Sequence, residues 1–260
     1  NLRHRHYIKS EKYKGEIHFS TGSNTARSSS NFYALNNAIA TLFEIRGVGI
    51  GKTSFKRRIN SGLSVGFSFL KTAYENSIFI FDEIAKANTY SNVIVLEHQR
   101  SIYTDVIKAI DIGSNEMIDF ETTMHSSKDS YAISKRDRPL AYIIKQNNFG
   151  FIEKLKDVGI DYVELQKDTV IYSGGYRVIE FNDNFKVYEK MRMQKVVTSI
   201  EYNDNGFSKG DILISMNQKR SNLIAELLEP EAPNSYVSFG IINTSLNSQL
   251  PIYRIKNLNN

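Results

Sequence analysis

One carboxylate, placed in an apolar run that opens into a glycine loop, has the residue type and the spacing best suited to chemistry. Glu44 lies in the run Leu42-Phe43-Glu44-Ile45, and three alternate glycines and Lys52 follow shortly after it. A strand that ends on a charge and opens into a glycine loop is a place where α/β proteins tend to hold active sites. Two chemistries compete for this stretch: a catalytic carboxylate at Glu44, and phosphate binding by the Gly-Lys-Thr run at residues 51–53.

The phosphate-binding interpretation is weakened by its spacing. A phosphate loop needs a glycine, four further residues and then Gly-Lys-Ser or Gly-Lys-Thr, because its backbone N–H groups must wrap the phosphates. Arg46 occupies the position of the first glycine, and Gly47 comes one residue late. Residues 78–83 imitate the apolar strand with a terminal carboxylate that such proteins also need, but they fit a helix as well. A P-loop-like nucleotide binder is therefore the less favoured alternative.

The catalytic interpretation depends on the apolar neighbours of Glu44. They predict that the carboxylate is buried, and a buried carboxylate costs several kcal/mol unless it is paired or coordinated. An ion pair with Arg46, two residues on and on the same face of a strand, is the structural interpretation. A general base whose pKa is tuned by burial is the functional one.

The elements that position this stretch follow from the apolar spacing of the first half. Residues 31–40 are predicted to form a short helix that leads into a strand at residues 41–45. Steps of three and four predict one long amphipathic helix over residues 61–87, and a similar pattern predicts a second helix over residues 93–110. A polar Ser, Thr, Gly and Asn tract at residues 20–30 predicts a surface loop.

The second half has a different period. We predict a boundary in the polar tract at residues 113–137, because it holds few large apolar residues and is followed by Arg138-Pro139. Beyond it the patterns alternate between strands and helices. Strands are predicted at residues 140–144, 161–165, 176–181, 185–190, 196–202 and 211–215, and helices at residues 149–158 and 221–228.

Composition indicates a globular protein and removes several classes of function. The 260 residues are 41% hydrophobic and 23% charged, without cysteine, so disulfides, thiolate chemistry and Cys-based zinc sites are excluded. The net charge is +5, but basic and acidic residues interleave, so we expect no nucleic-acid partner. No apolar run approaches the roughly 20 residues of a membrane span. The polar start without Met leads us to expect a piece of a longer protein.

A family resemblance joins these observations. Residues 42–47, Leu-Phe-Glu-Ile-Arg-Gly, resemble the segment around the catalytic Glu in zinc carboxypeptidases of the carboxypeptidase A type, and most closely in long bacterial members. Asn37-Ala38-Ile39, the alternate glycines and Arg57-Arg58 fit the same pattern. Residues 138–144 and 227–235 resemble segments downstream of the catalytic domain in those long members. The resemblance therefore touches most of the chain, in the expected order.

The resemblance implies roles for five residues. Glu44 matches the general base, which activates a zinc-bound water to attack the C-terminal peptide carbonyl, and Arg46 belongs to the same catalytic segment. A loop lined by a Tyr and small residues in the family corresponds to residues 17–23, which makes His18 and Thr21 candidates for substrate binding. Arg27 is a further candidate, because a guanidinium can bind a substrate carboxylate bidentately.

The zinc site itself is not matched in this chain. The family holds zinc with a His-x-x-Glu pair and a later His, all upstream of the general base. None of the 5 histidines here has a Glu three residues later, so we assign no metal ligand. Zinc is expected in the parent protein, and no tightly bound cofactor is expected in this chain alone.

We combine the sequence patterns and the resemblance in one hypothesis. The fold class is α/β: the C-terminal part of a carboxypeptidase-like domain at residues 1–112, a linker at 113–137 and a smaller mixed α/β accessory domain at 138–260. The function is that of the C-terminal portion of a zinc metallocarboxypeptidase-like hydrolase that cleaves a C-terminal peptide or related amide bond. The resemblance implies a peptide or peptide-like substrate and an extracytoplasmic location. A non-catalytic carboxypeptidase-like module that binds peptide or envelope partners is the alternative.

Overall fold

A computed structural model of the chain describes residues 2, 4–89, 91–146 and 149–256. Over these residues the fold is mixed α/β, with two β-sheets and five α-helices. This confirms the predicted fold class. None of the helices described is both long enough and apolar enough to cross a membrane.

The strands and helices are numbered in chain order. The strands are β1 (Ile8–Tyr13), β2 (Glu16–Thr21), β3 (Val93–Ile110), β4 (Met117–Asp137), β5 (Ala141–Ile144), β6 (Val163–Glu164), β7 (Thr169–Tyr188), β8 (Met191–Phe207), β9 (Ile212–Ser215) and β10 (Gln249–Ile255). The helices are α1 (Ser29–Leu35), α2 (Phe55–Glu75), α3 (Ser77–Thr89), α4 (Phe149–Asp157) and α5 (Ser221–Leu228), and a 3₁₀ helix (Val48–Ser54) precedes α2.

The two sheets differ in burial. The first has the order β1-β2-β4-β3, with β2 and β4 parallel and the other pairs antiparallel. The second has the order β6-β9-β5-β10-β7-β8 and is antiparallel throughout. Its central strand β5 is buried at every residue, and α4 and α5 contribute Leu155 and Ile224 to the core beside it. Ile94 and Leu96 at the start of β3 belong to the same core, so the first sheet is anchored to the second.

A buried ionic cluster fixes the end of β4 against the second sheet. Glu229 is fully buried, and its carboxylate lies 2.6 Å from Arg136 Nη1 and 3.3 Å from Arg254 Nε. The hydroxyl of Tyr142 donates to the same carboxylate at 2.5 Å. Burial raises the pKa of Tyr142, so the phenol stays protonated and continues to donate. Because a buried charge is costly unless its partners are in place, β4, β5, β10 and the segment after α5 are held in one arrangement.

Residues 93–110 correct the prediction of a helix, because they form strand β3. The predicted apolar face of Ile102, Val106 and Ile110 is exposed, whereas Ile94 and Leu96 are buried in alternation. The segment is rich in β-branched residues, whose stiff side chains favour strands. Antiparallel pairing with β4 along its length satisfies the backbone hydrogen bonds of β3. The four-residue spacing of its apolar side chains does not indicate this pairing.

The polar tract at residues 113–137 also differs from the sequence prediction. Residues 117–137 form β4, which pairs with β3 on one side and with β2 on the other, so the tract is a strand of the first sheet rather than an irregular segment. The alternate buried residues are Thr122, Met124 and Ser126, and because two of the three are polar they hid the two-residue period. The division of the chain into two domains stays a prediction.

Two further predictions in the first half need correction. The segment at residues 41–45 carries no strand pairing and is irregular. The helix predicted for residues 61–87 is two helices, α2 and α3, separated at Asn76, whose side-chain amide donates to the carbonyl of Thr72 at 2.8 Å. Residues 78–83 lie within α3, so they are helical and not a strand with a terminal carboxylate. The apolar face predicted to be buried is exposed, and α2 has no buried residue.

The second half follows the prediction more closely. The helix Ser221–Leu228 and the strands β5 and β9 are confirmed, and β7 and β8 contain the strands predicted at residues 176–181 and 196–202. The strand predicted at residues 185–190 ends earlier, at Tyr188, because Glu189 and Lys190 form the turn between β7 and β8. Helix α4 ends before Gly159, whose φ of 70° is the left-handed conformation that suits glycine.

The ionic cluster gives a prediction for stability. Replacing Glu229 with Gln should lower the free energy of unfolding by about 3–5 kcal/mol, because the buried Arg254 loses its counter-charge and Arg136 keeps only Glu231. The matched control is Glu201→Gln, which removes an exposed ion pair with Arg177 at 3.0 Å and should change stability by about 1 kcal/mol or less. Urea unfolding of both variants measures the difference, and equal effects would show that the buried cluster does not stabilise the fold.

Candidate functional site

The candidate catalytic segment is held in place by the loop that follows it. Gly47 has a φ of 117°, in the left-handed region that favours glycine. The buried hydroxyl of Ser54 donates to the carbonyl oxygen of Gly47 and, at 3.1 Å, to that of Gly51. A side chain at position 47 would overlap the Arg57 guanidinium and would place its Cβ 2.9 Å from Ser54 Cβ. The loop therefore requires glycine at this position.

The arginines of the basic cluster serve this loop. Arg57 Nη2 donates to the carbonyl oxygen of Arg46 at 2.8 Å, and Arg58 Nε donates to Ser54 Oγ at 3.0 Å. The first contact joins the start of α2 to the segment that carries Glu44, and the second holds the Ser54 hydroxyl, which bonds to Gly47. The glycines and arginines of residues 47–58 thus act together as a clamp on the backbone beside the candidate catalytic residues.

The segment of residues 41–46 presents two different sides. Thr41, Phe43 and Ile45 line a groove against α2, and the aromatic rings of Phe43 and Phe69 pack edge to face at 6.4 Å. Glu44 and Arg46, at alternating positions, are exposed. This corrects the expectation that Glu44 is buried. Among the described residues neither side chain has an ion-pair partner, so the expected pair between Glu44 and Arg46 does not form.

An apolar groove of about 560 Å³ lies between this segment and α2. Gly62 faces Ile45 across the groove, and a Cβ added there would make an ordinary van der Waals contact with Ile45 Cδ1 at 3.7 Å. Tyr33, Val65 and Leu70 complete much of its wall. The groove can accept apolar side chains but offers few polar groups, so it is suited to binding rather than to chemistry.

His18 contacts a residue that the sequence prediction did not connect to it. Its Nδ1 lies 2.9 Å from His125 Nε2, which the parallel pairing of β2 with β4 brings alongside. Tyr13 packs against both imidazoles, with ring centroids 5.2 and 5.9 Å away. Glu16 Oε2 lies 3.4 Å from His18 Nε2. The pair shares one hydrogen bond, so one imidazole donates and the other accepts.

Thr21 is fixed at the end of β2. Its Oγ1 lies 2.9 Å from Ser127 Oγ and accepts the Ser127 backbone N–H at 2.7 Å. The side-chain amide of Asn24 donates to the Ser127 carbonyl at 2.7 Å and to Ser130 Oγ at 2.8 Å. These bonds tie the start of the predicted surface loop to β4, so Thr21 has a structural role in this arrangement.

Arg27 reaches from this loop to the second half of the chain. Its Nη1 donates to Asn234 Oδ1 at 2.6 Å, and its guanidinium lies 4.0 Å from the ring centroid of Tyr188. The amide of Asn234 in turn donates to Glu226 Oε1 at 2.5 Å. Burial raises the pKa of Glu226, and the hydrogen bond from Asn234 and the charge of Arg27 oppose that rise only in part.

In the structure, the five predicted site residues lie in two separate groups. His18 and Thr21 lie on β2 beside β4, and Arg27 follows them in the loop, whereas Glu44 and Arg46 lie beside α2. Across residues 4–89, 91–146 and 149–256, no hydrogen bond or ion pair joins the two groups. Their shared role in one substrate site stays a prediction.

The donors present do not fit a zinc site. Within the described part of the chain, no group of three or more His, Asp or Glu side chains is positioned to hold a metal ion. His18 and His125 supply two nitrogens, but these already lie at hydrogen-bonding distance from each other. Zinc for a carboxypeptidase reaction would need ligands outside the residues described.

Sequence reasoning missed the partners of these residues. His125 lies in the tract taken for a linker, and only the alternation of Thr122, Met124 and Ser126 could have indicated a strand there. The groove residues Gly62 and Gly66 lie four apart on α2, so the sequence places both on one face of that helix. The contacts of Arg27 with Asn234 and Tyr188 span more than 150 residues and left no local signal.

The chain is similar to known proteins that carry the name Carboxypeptidase 2. The chain is 27% identical over 230 residues to Carboxypeptidase 2 of Trichophyton equinum, covering 87% of this chain and 43% of the relative. It is 26% identical over 253 residues to Carboxypeptidase 2 of Trichophyton tonsurans, covering 96% of this chain and 47% of the relative. This similarity supports a carboxypeptidase family. No protein-family model and no solved structure matches the chain.

The similarity bears on the function at a coarse level. It supports a peptidase-like function, which is the coarse part of the sequence prediction. The chain spans less than half the length of the curated relatives it matches. The zinc-dependent type and the bacterial affiliation implied by the resemblance stay predictions.

The loop clamp gives a prediction for Gly47. Replacing it with Ala should destabilise the clamp by about 1–3 kcal/mol, because the left-handed backbone is strained and the methyl group overlaps Arg57 and Ser54. Hydrogen exchange of residues 47–58 should become faster. The control is Gly49→Ala, because a Cβ there meets nothing within 4 Å. Unchanged exchange in the Gly47 variant would contradict this role.

The pKa shift of Glu226 gives a prediction for pH dependence. Its folded-state pKa is raised above the ordinary 4.5, so the folded state binds this proton more tightly than the unfolded state. Stability from this group is therefore fully present at pH below about 4.5 and is lost as pH rises through the folded-state pKa. Glu226→Gln should remove this loss.

The measurement is the melting temperature across pH 4 to 8. The stabilisation of Glu226→Gln relative to the wild type should increase with pH, whereas the exposed control Glu153→Gln should show no such trend. A difference that stays constant across the range would mean that Glu226 titrates as it does in the unfolded chain.

Proposed function

We propose that the chain is the C-terminal portion of a zinc metallocarboxypeptidase-like hydrolase, in which Glu44 is the general base. The substrate is a peptide or peptide-like molecule, and the bond cleaved is the C-terminal peptide bond or a related amide. The observation that carries the proposal is the similarity to Carboxypeptidase 2 proteins over most of the chain, together with an exposed Glu44, which has no ion-pair partner among the described residues, in the segment that resembles the family.

The geometry of the segment suits this role. Thr41, Phe43 and Ile45 fix one side against α2, so Glu44 and Arg46 are left on the open side. A general base must reach the proton it removes, and an exposed carboxylate on a clamped backbone can do so without rearrangement of the chain. Arg46 supplies a positive charge on the same side, near the place where the carbonyl oxygen would become negative.

The reaction assigned to Glu44 is a proton transfer in two steps. Its carboxylate takes a proton from a water molecule while the water oxygen forms a bond to the carbonyl carbon. The same carboxyl group then gives the proton to the amine nitrogen as the C–N bond breaks, which restores the carboxylate and releases the C-terminal amino acid. We place the zinc ligands outside this chain and assign no step to the metal here.

Three residues are proposed to bind substrate. Arg27 is exposed and uses one guanidinium nitrogen for Asn234, so its other N–H groups could pair with the substrate's terminal carboxylate. His18 and Thr21 would line the pocket for the terminal side chain. We also propose an extracytoplasmic location, periplasmic or secreted, for the whole protein.

The test is the loss of activity on replacing Glu44 with Gln in the whole protein. Removal of the general base should lower kcat for release of a C-terminal amino acid by about 10²–10⁴-fold while KM changes little, because the carboxylate acts in the chemical step. Mass spectrometry of the shortened peptide measures the product. The matched control is Glu75→Gln, an exposed carboxylate paired with Lys71 at the end of α2.

Two outcomes would contradict the proposal. One is a Glu44→Gln variant that keeps wild-type kcat. The other is a whole protein that binds peptides but releases no amino acid, which would favour the second candidate, a non-catalytic binding module. The apolar groove beside Glu44 is the feature that supports this second candidate, because it can bind apolar side chains without any catalytic group.

A further inference from the structure

The segment that carries Glu44 has the side-chain pattern of a strand without the pairing of one. Thr41, Phe43 and Ile45 share the groove side, while Leu42, Glu44 and Arg46 are exposed. This period of two is that of an extended strand. Among the backbone hydrogen bonds between described residues, none involves the N–H or carbonyl groups of residues 39–45. Both edges of the segment are therefore open.

The helices beside the segment have an uncovered apolar surface. Phe67, Leu70 and Tyr74 on α2 are 69%, 66% and 84% exposed, and Ile78 and Phe81 on α3 are 79% and 71% exposed. Soluble proteins rarely expose contiguous apolar patches of more than a few hundred Å² unless another surface covers them. Each of these side chains would contribute to stability if it were buried.

These two features form an incomplete layer. In α/β folds a helix covers one face of a sheet, and the strand beneath it pairs with neighbours on both edges. Here α2 lies on one face of residues 41–45, where Phe43 packs on Phe69 and Ile45 shares the groove with Gly62, but the neighbouring strands are absent from residues 4–89, 91–146 and 149–256.

We propose that residues 39–46 are an interior strand of a sheet whose other strands come from a further segment of the same polypeptide, and that α2 and α3 pack on that segment. The proposal rests on the proposed function, because it takes the chain as one portion of a carboxypeptidase-like protein. The curated relatives are more than twice as long as the part that this chain matches, which supplies the length for such a segment.

A second copy of the chain is a poorer occupant of this surface. A two-fold pairing of residues 39–46 with themselves would satisfy only one edge and would leave the other edge open. This two-fold pairing would also leave the exposed side chains of Leu42 and Glu44 without another part of the protein packed against them. A segment with several strands satisfies both edges and covers the apolar helices at the same time.

The test compares the product of the complete reading frame with the 260-residue chain by hydrogen exchange. Amides of residues 39–46 should exchange at least about 10²-fold more slowly in the complete protein, because they gain strand partners. Leu42→Pro in the complete protein removes one donor and should abolish the protection of the neighbouring amides. Leu42→Thr keeps the N–H and is the matched control for the loss of the leucine side chain.

A second pair of variants tests the helix surface. Leu70→Lys should lower the melting temperature of the complete protein and leave that of the 260-residue chain almost unchanged, because the side chain is exposed there. Val170→Lys, at a site 68% exposed on β7, should change neither protein. Equal effects of Leu70→Lys in both proteins would contradict the docking.

Other outcomes overturn the inference without affecting the proposed function. They are amides of residues 39–46 that exchange equally fast in both proteins, and protection that appears only when the 260-residue chain dimerises. A reading frame with no coding sequence for a further segment would overturn both the inference and the proposed function. Conversely, protection of residues 39–46 in a complete protein whose activity ignores Glu44→Gln would retain the strand pairing and reject the proposed function.

Discussion

The fully buried carboxylate of Glu229 is the constraint on which the arrangement of the two sheets depends. It receives the Tyr142 hydroxyl and faces both Arg136 and Arg254, so four separate parts of the chain meet at one charge. Glu231 adds a second contact to Arg136 at 2.9 Å and accepts the Thr198 N–H at 2.7 Å. Since an unpaired buried charge costs several kcal/mol, displacement of β4 from the second sheet is strongly opposed.

Because of this constraint, one part of the candidate site is packed against the core, and the other part is open. The first sheet, which carries His18 and Thr21, is tied to the core through β4 and through the contacts of Arg27. Glu44 and Arg46 depend instead on the clamp of Gly47, Ser54 and Arg57 beside α2. The proposed peptidase site therefore combines a well-packed part and a part that lacks neighbours, which is why we infer a further segment.

The sequence predicted elements well where local signals and burial agree. Helix α5 has an amphipathic pattern and a following Pro230, and α4 ends before Gly159, so both were predictable. Strand β3 was predicted as a helix because its exposed Ile102, Val106 and Ile110 repeat at helical spacing, although only its pairing with β4 decides its structure. The pairing of His18 with His125 depends on a parallel contact between distant strands, which no local pattern encodes.

The segment around Glu44 shows the same limit in another form. Its apolar composition suggested a buried strand, and the side-chain alternation of Thr41, Phe43 and Ile45 is indeed present, but the partners that would complete the strand are not among the described residues. The positions of the glycines and arginines predict a loop. The sequence does not predict that this loop clamps the segment through Ser54, because that contact needs the left-handed backbone at Gly47.

The most direct test of the account is the product formed when the complete protein and its Glu44→Gln variant are incubated with a peptide that has a free C-terminal carboxylate. We predict that the wild type removes single residues from that end, that an amidated copy of the peptide is cleaved far more slowly, and that the variant forms almost no product. Cleavage at internal bonds, or equal product from both proteins, would contradict the role of Glu44 in a carboxypeptidase-like site.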